Sequence, residues 1–340
     1  MHWDLFCRVI DNFGDIGVCW RLAADLGARG ESVCLWVDDA SALAWMAPLG
    51  APGVQVVGWD AATGPGDVVI EAFGCDPPPA FVAAMAQREP RPLWINLEYL
   101  SAEAYVKRSH GLRSPQMAGP GRGLDKWFFY PGFEPGTGGL LREPGLMDER
   151  HRLDGRAWLQ QRGLAPQPGE RVVSLFCYPN APVDELLHAL ATTPTLLLTA
   201  GTALVAPRPG VLRCLALPWL SQSDYDRLLW SCDLNFVRGE DSFVRAQWAG
   251  APFVWQIYPQ HDGAHAAKLD AFLALMLGGA EPALADALRR LWHAWNGLRS
   301  GPAAPPPAAP WQALARDWRD RLLAQPDLVT QLLGFVAERR

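Results

Sequence analysis

The chain has 340 residues, of which 49% are hydrophobic and 19% charged, as is typical of globular proteins with a buried core. Its formal net charge of −6 and the absence of a long basic run disfavour a nucleic-acid-binding protein. No apolar stretch is long enough to span a membrane, and no secretory leader is recognisable, so we expect neither.

The seven cysteines are dispersed, and no two are spaced as a CxxC pair. This usage is typical of reduced thiols in a cytoplasmic protein and does not predict a zinc cluster. His261 and His265 lie four residues apart, but no third ligand accompanies them. The sequence therefore predicts a cytoplasmic protein without a metal site.

The first half of the chain alternates strands and helices. Leu5–Ile10 predicts a strand, and Val18, Leu22 and Leu26 recur with helical spacing up to Gly30. Further elements are a helix at Phe81–Gln87 and strands at Ser32–Val37, Val54–Gly58, Asp67–Glu71 and Pro92–Asn96. Such alternation predicts a parallel, doubly wound sheet.

Residues 118–145 are rich in glycine and proline, which predicts an extended segment and a domain boundary near 150. A second alternation follows. Its strands are predicted at Val172–Tyr178, Thr195–Ala200, Val211–Leu217, Asp233–Val237 and Phe253–Tyr258, and its helices at Val183–Leu190, Ser223–Ser231, Phe243–Gly250 and Ala264–Leu277. A polyproline-like connector, Gly301–Pro310, precedes two terminal helices.

We therefore expect an α/β protein with two facing Rossmann-like domains, residues 1–150 and 151–300, and a terminal segment, residues 301–340. Ligands of such sheets bind beyond the carboxyl ends of the strands, here in an interdomain cleft. The polar motifs follow predicted strands.

The first motif is Asp11–Gly17, which holds Asp11, Asp15 and two glycines at a strand-to-helix turn. It lacks the GxGxxG pattern of dinucleotide-binding loops. Two carboxylates suit proton abstraction or the orientation of a cationic acceptor. The alternative is that one of them caps the next helix, and both roles can coexist.

The second motif runs from Arg238 to Ser242 and opens a predicted helix. Arg238 can pair with phosphate, and Ser242 with the helix N–H groups can form an anion site. Glu240 and Asp241 can bind sugar or ribose hydroxyls. The alternative is a charged surface turn in which Asp241 caps the helix.

Three aromatic residues of the second half are further candidates: Phe176 and Tyr178, which end a predicted strand, and Trp219. Phe176 and Tyr178 share one face because they are two residues apart. Aromatic faces can stack on a nucleobase, and packing in the core is the alternative.

Four segments resemble the EarP family, the elongation factor P arginine rhamnosyltransferases: Phe6–Ala23, Asn96–Glu103, Gly138–Glu143 and Arg238–Gln260. The resemblance implies a GT-B fold and inversion at the sugar carbon. The implied donor is dTDP-β-L-rhamnose, bound mainly by the second domain, with no further cofactor. The implied acceptor is an arginine of elongation factor P, bound by the first domain.

The resemblance also implies roles for individual residues. Asp15 matches the general base, Asp11 is its neighbour, and Glu240 matches an essential acid. Donor-binding positions match at Phe176, Tyr178, Arg238, Asp241 and Ser242, and Trp219 stands where the family carries phenylalanine. Alternatives are a GT-B transferase with another sugar or acceptor, a nucleotide-sugar 2-epimerase, or a non-catalytic nucleotide-sugar sensor.

Overall fold

In a computed structural model, the described residues are 1–11, 13–61, 64–201, 211–259, 263–301 and 304–340. The chain divides into two compact units. Unit 1 combines Met1–Pro144 with Ala324–Arg340, and unit 2 is Gly145–Leu323. The end of the chain therefore divides between the units: the segment after Leu323 returns to unit 1.

Unit 1 is built on a seven-stranded sheet of order β3-β2-β1-β4-β5-β7-β6. Its strands are β1 (His2–Cys7), β2 (Ser32–Val37), β3 (Val54–Gly58), β4 (Val68–Ala72), β5 (Leu93–Leu97), β6 (Arg113–Pro115) and β7 (Asp125–Phe129). Its helices are α1 (Gly14–Ala28), α2 (Leu43–Met46), α3 (Pro79–Gln87), α4 (Tyr105–Ser109) and the last helix of the chain, α13 (Leu328–Ala337). All neighbouring strands are parallel except β6, which pairs antiparallel with β7.

Unit 2 has a five-stranded parallel sheet of order β10-β9-β8-β11-β12. Its strands are β8 (Arg171–Leu175), β9 (Thr195–Ala200), β10 (Leu212–Leu217), β11 (Leu234–Arg238) and β12 (Phe253–Gln256). Its helices are α5 (Leu146–Arg152), α6 (Gly155–Gln161), α7 (Val183–Leu190), α8 (Gln222–Ser231), α9 (Asp241–Ala249), α10 (Ala264–Met276), α11 (Pro282–Trp295) and α12 (Ala308–Leu323).

The parallel strands of each sheet reverse their order at one point, and ligands of such folds bind beside that point. In unit 1 the chain crosses from β3 to β4 over β1, so the reversal lies between β1 and β4. In unit 2 it lies between β8 and β11. Loops that leave the carboxyl ends of such strands diverge, which opens a crevice. The polar motifs follow β1 and β11, two of these four strands.

The central strands β1, β2, β4 and β5 of unit 1 are buried along nearly their whole length because both faces of the sheet are covered there. In β1, Trp3, Leu5 and Cys7 belong to the core that contains residues of α1 and α13. Phe6 belongs to the opposite core and stacks on Trp36 with ring centroids 5.0 Å apart. Burying each large side chain contributes about 1.5–3 kcal/mol to stability.

The return of the chain to unit 1 is secured by Arg29, at the end of α1. Its guanidinium pairs with Asp25 and with Asp327, each with an N–O distance of 2.7 Å. It also donates to the Thr330 hydroxyl at 2.7 Å. Asp327 in turn caps α13 by accepting from the Thr330 N–H at 2.9 Å. The contacts of Arg29 with Asp327 and Thr330 join residues about 300 positions apart, and no local sequence pattern predicts them.

The expected α/β class with two sheets is confirmed, but several segments differ from the sequence prediction. Strand β8 ends at Leu175, so Phe176 and Tyr178 lie beyond it and not inside it as predicted. The first strand is His2–Cys7, so the prediction Leu5–Ile10 was three residues late. The segment predicted only as extended contains β7. Helix α12 begins at Ala308, inside the predicted connector, because Pro310 falls in its first turn, where a helix needs no N–H donor.

In the described part of the chain, no helix is both long and apolar enough to cross a membrane.

Candidate functional site

The carboxylate of Asp15 lies where β1 passes into α1. The side chain is 3% exposed. Its Oδ2 accepts hydrogen bonds from the backbone N–H groups of Ile10 and Asp11, both at 2.9 Å. These donors belong to the loop before the helix. The N-cap residue of the helix is Phe13, whose own side chain makes no capping hydrogen bond. The arrangement fixes the Asp15 carboxylate without making it a helix cap.

The loop that holds Asp15 depends on an unusual backbone. Phe13 has a φ of 73°, in the left-handed region, and its ring packs edge-on against Trp45 at 5.2 Å. A Cβ added at Gly14 would lie 2.7 Å from Oδ2 of Asp11. Glycine at position 14 thus lets the chain turn tightly past Asp11 into α1.

Tyr99, which follows β5, contacts the other oxygen of Asp15. Its hydroxyl donates to Oδ1 of Asp15 at 3.5 Å, a long and weak hydrogen bond. The Tyr99 ring stacks on Phe73 with centroids 4.2 Å apart, and Phe73 follows β4 with a φ of 59°. Neither residue belongs to the polar motifs of the sequence. Tyr99 lies in one of the four family-like segments, whereas no local signal marks Phe73.

Two further carboxylates follow β5 on the same unit. Glu98 Oε1 accepts from the side-chain amide of Asn96 at 2.8 Å. Glu103 Oε2 accepts from the hydroxyl of Ser101 at 3.0 Å. The loops after β1 and β5 thus carry several acidic side chains and Tyr99, which favours a cationic ligand.

Burial raises the pKa of Asp15 above its ordinary value, because removing a carboxylate from water penalises its charge. The hydrogen bonds from Ile10, Asp11 and Tyr99 act in the opposite direction, and the charge of Asp38 adds to the increase. A carboxylate with a raised pKa is a stronger base, so Asp15 suits proton abstraction better than an exposed aspartate.

Tyr99→Phe removes a hydrogen bond that lowers the pKa of Asp15. The pKa of Asp15 then rises further, and a base must be deprotonated to act. We therefore expect the acid limb of the pH–kcat/KM profile to move to higher pH. Tyr105→Phe is a matched control, since both tyrosines are 38% exposed. A profile that is unchanged by Tyr99→Phe, or moved equally by both variants, contradicts this prediction.

In unit 2, the turn after β11 brings Arg238 and Ser242 together. Gly239 has a φ of 66°, and its carbonyl accepts from the indole N–H of Trp255 at 2.7 Å. The Ser242 hydroxyl donates to the Arg238 carbonyl. Helix α9 begins at Asp241, so its first N–H groups lie beside Arg238. A guanidinium next to a helix N-terminus favours an anion.

The aromatic residues after β8 lie against Arg238. Its Cζ atom is 4.4 Å from the ring centroid of Phe176 and 4.5 Å from that of Tyr178. Its Nη1 donates to the Cys177 carbonyl at 3.2 Å. Phe176, Tyr178 and Arg238 therefore form one cluster, across the two strands where the order of the sheet reverses.

The acids of the second motif lie at the start of α9. Glu240 occupies the N-cap position, and its own side chain makes no capping hydrogen bond. Asp241 Oδ2 accepts from the side-chain amide of Gln222 at 3.2 Å, which links α9 to the first residue of α8. Asp241 is therefore the first residue of the helix and not its N-cap.

Trp219 follows β10, and 45% of its surface is exposed. Its indole lies against Gly201, the residue after β9. A Cβ atom added at Gly201 would lie 2.3 Å from Cζ3 of the indole. Gly201 also has a φ of 59°, so this position suits glycine on both counts. Trp219 thus presents an exposed aromatic surface, whereas Tyr178 is buried.

Each sequence motif is therefore at the carboxyl edge of its own sheet: Asp11 and Asp15 in unit 1, the other candidates in unit 2. Among the described residues there is no group of three or more His, Cys, Asp or Glu side chains able to hold a metal ion. His261, of the histidine pair, lies outside the described residues.

Comparison with known proteins gives consistent results along the whole chain. The family model of elongation factor P (EF-P) rhamnosyltransferase EarP matches residues 3–337. Protein-arginine rhamnosyltransferases of Pseudomonas putida and Pseudomonas aeruginosa are 47% and 43% identical, over 98% and 99% of both chains. A solved structure concerning EarP-mediated arginine glycosylation of translation elongation factor EF-P is 35% identical, with a TM-score of 0.70 and 99% coverage of both chains.

Other glycosyltransferase structures share the fold alone. They are 13–16% identical, with TM-scores of 0.52–0.54. Together with the two α/β units, these neighbours confirm the GT-B fold class expected from the sequence.

Proposed function

The chain belongs to the EarP family of elongation factor P rhamnosyltransferases, and on this premise we propose that it transfers L-rhamnose from dTDP-β-L-rhamnose to an arginine of elongation factor P. The observation that carries the proposal is the similarity to protein-arginine rhamnosyltransferases over 98–99% of the chain. The chemistry of the two candidate sites supports it.

We assign the acceptor side to unit 1. A guanidinium is a poor nucleophile because it is charged and its lone pairs are delocalised. In the proposed reaction, an arginine nitrogen forms a bond to the anomeric carbon while the bond from that carbon to the diphosphate breaks. Asp15 accepts the proton released by the nitrogen. Asp11, Glu98 and Glu103 hold the cationic side chain near it.

We assign the donor side to unit 2. Arg238, Ser242 and the start of α9 bind the diphosphate and stabilise its charge as it leaves. Glu240 and Asp241 bind hydroxyl groups of the nucleotide sugar, with Glu240 nearest the transferred sugar. Direct displacement inverts the anomeric centre, because the nitrogen attacks the face opposite the leaving diphosphate.

Arg238→Ala is expected to weaken the binding of dTDP, with or without the sugar, because the phosphates are present in both ligands. The loss of a charge-assisted hydrogen bond costs about 1.5–3 kcal/mol. Calorimetry with the folded variant measures this directly. Unchanged affinity for dTDP removes Arg238 from the phosphate site.

Transfer is expected to survive an excess of EDTA. We propose that no metal or other cofactor takes part, since Arg238 and the N-terminus of α9 supply the positive charge that a magnesium ion provides elsewhere. Loss of activity with EDTA and its recovery with magnesium would reassign Asp11 and Asp15 as metal ligands.

The decisive experiment is the intact mass of elongation factor P after incubation with this protein and dTDP-β-L-rhamnose. We expect the mass to increase by one deoxyhexosyl residue, located on an arginine by fragmentation. Modification only with another nucleotide sugar indicates a different donor. Binding of dTDP-β-L-rhamnose without any transfer indicates a non-catalytic sensor.

We also propose that the reaction takes place in the cytoplasm. The proposed acceptor is a translation factor, and none of the seven cysteines, all of which the structure describes, forms a disulfide. Free thiols are typical of proteins that remain in a reducing compartment.

A further inference from the structure

We propose that Phe176 and Tyr178 are positioning residues for Arg238. Their ring faces hold the guanidinium in a fixed plane, so that its edge is presented to the diphosphate. This inference rests on the donor site proposed above, and it differs from the expectation that both rings stack on the nucleobase.

The distances support a cation–π interaction with both rings. The Cζ atom of Arg238 lies over Phe176 at 4.4 Å and over Tyr178 at 4.5 Å. Both values are well within the range of about 6 Å at which a cation is attracted to a ring face. Both rings lie in the segment that follows β8, and one guanidinium contacts both of them.

Stacking leaves the hydrogen-bonding groups of the guanidinium usable. Its N–H donors point outward in its plane, so rings that contact its faces do not block these donors. The bond from Nη1 to the Cys177 carbonyl, at 3.2 Å, uses one of the five donors and fixes the rotation of the group within the plane. Arg238 is thereby oriented before a ligand arrives, which reduces the entropy lost on binding.

Both aromatic residues are themselves held by neighbours. The backbone N–H of Tyr178 donates to the side-chain oxygen of Gln256 at 2.7 Å, and the Tyr178 ring packs edge-on against Tyr258 with centroids 5.7 Å apart. Phe176 meets the ring of Tyr225 edge-on at 5.9 Å. The rings therefore act as a rigid support for the guanidinium.

A nucleobase stacked on the same ring faces would compete with Arg238 for them. Trp219 has exposed ring surface on which a base can stack, since 45% of its surface is exposed. The proposal therefore gives the aromatic residues two different roles. Phe176 and Tyr178 position Arg238, which binds the phosphates, and Trp219 contacts the base.

A double-mutant cycle tests this division. The affinity for dTDP is measured by calorimetry for the wild type, Phe176→Leu, Arg238→Ala and the double variant. We expect Phe176→Leu to weaken binding about 3- to 30-fold when Arg238 is present. In the Arg238→Ala background we expect less than about a 2-fold effect, because the group that the ring positions is gone.

Trp219→Leu is the matched control. Its effect on dTDP affinity is expected to be the same with or without Arg238, because it acts on the base. The ratio of dTDP to dTMP affinities adds a second readout: Phe176→Leu lowers this ratio, whereas Trp219→Leu leaves it unchanged.

Should Phe176→Leu fail to fold, pentafluorophenylalanine at position 176 keeps the ring shape and reverses its charge distribution. Weaker dTDP binding by that variant, with Phe176→Tyr close to wild type, supports the proposal. Equal effects of Phe176→Leu with and without Arg238 overturn it and assign the ring to the nucleotide itself. Absence of dTDP binding by the wild-type protein rejects the donor assignment as a whole, which distinguishes the two failures.

Discussion

Asp15→Asn is expected to lose nearly all rhamnosyl transfer, by about 10²–10⁴-fold, the usual contribution of a general base. Asparagine has almost the same shape and keeps an oxygen that can accept from Ile10 and Asp11. It has no charge and cannot take a proton from the acceptor arginine. The initial rate of mass change of elongation factor P measures the loss.

Binding of dTDP to the Asp15→Asn variant is expected to remain near the wild-type value, since Arg238 and the other donor candidates belong to unit 2. Asp39→Asn is a suitable control, because Asp39 is an exposed aspartate whose carboxylate accepts from the N–H of Ser41. Wild-type turnover by Asp15→Asn removes this residue from the mechanism. An equal loss in Asp39→Asn means that the assay reports a general charge effect.

Arg245→Met is expected to destabilise unit 2 by about 3–5 kcal/mol, because it leaves a buried carboxylate without its cation. Arg245 and Asp226 are 2% and 4% exposed. They form a two-pronged pair, with Nε–Oδ1 and Nη2–Oδ2 distances of 2.8 Å. The pair joins α8 to α9, the helix that opens beside Arg238.

The free energy of unfolding, from urea denaturation, measures this effect. Replacing both partners, by Arg245→Met with Asp226→Leu, is expected to recover much of the stability, because no buried charge remains. Arg289→Met is the control, since Arg289 pairs with Asp286 at the surface, where an ion pair contributes about 0–1 kcal/mol. A loss of no more than 1 kcal/mol in Arg245→Met contradicts the prediction.

The candidate donor site shows how far local patterns reach. The apolar run before Arg238 predicts a strand, and the amphipathic segment after Ser242 predicts a helix. Parallel α/β topology then puts the intervening polar residues at the carboxyl edge of a sheet. The structure agrees, with β11 ending at Arg238 and α9 beginning at Asp241. These are properties of single elements, so the sequence is sufficient to predict them.

The partners of those residues could not be predicted in the same way. Spacing puts Phe176 and Tyr178 on one face but does not reveal that this face meets Arg238, about 60 residues later. The hydrogen bond from Tyr99 to Asp15 spans 84 positions. Both contacts depend on which strands become neighbours, and strand order is decided by the packing of the whole unit.

The sequence by itself thus determined the family, through the resemblance of four segments to its members. It also predicted the α/β class and the position of each motif at a strand end, because periodicity records which residues of an element are buried. Only the tertiary structure decided that Asp15 is held by the N–H groups of Ile10 and Asp11, and that the last helix packs in unit 1. It also decided that two aromatic rings lie on Arg238. These features are contacts made when distant segments fold together, or when a loop adopts a particular backbone conformation. Such contacts leave no periodic trace in the sequence, because they are specified by the packing of the folded chain.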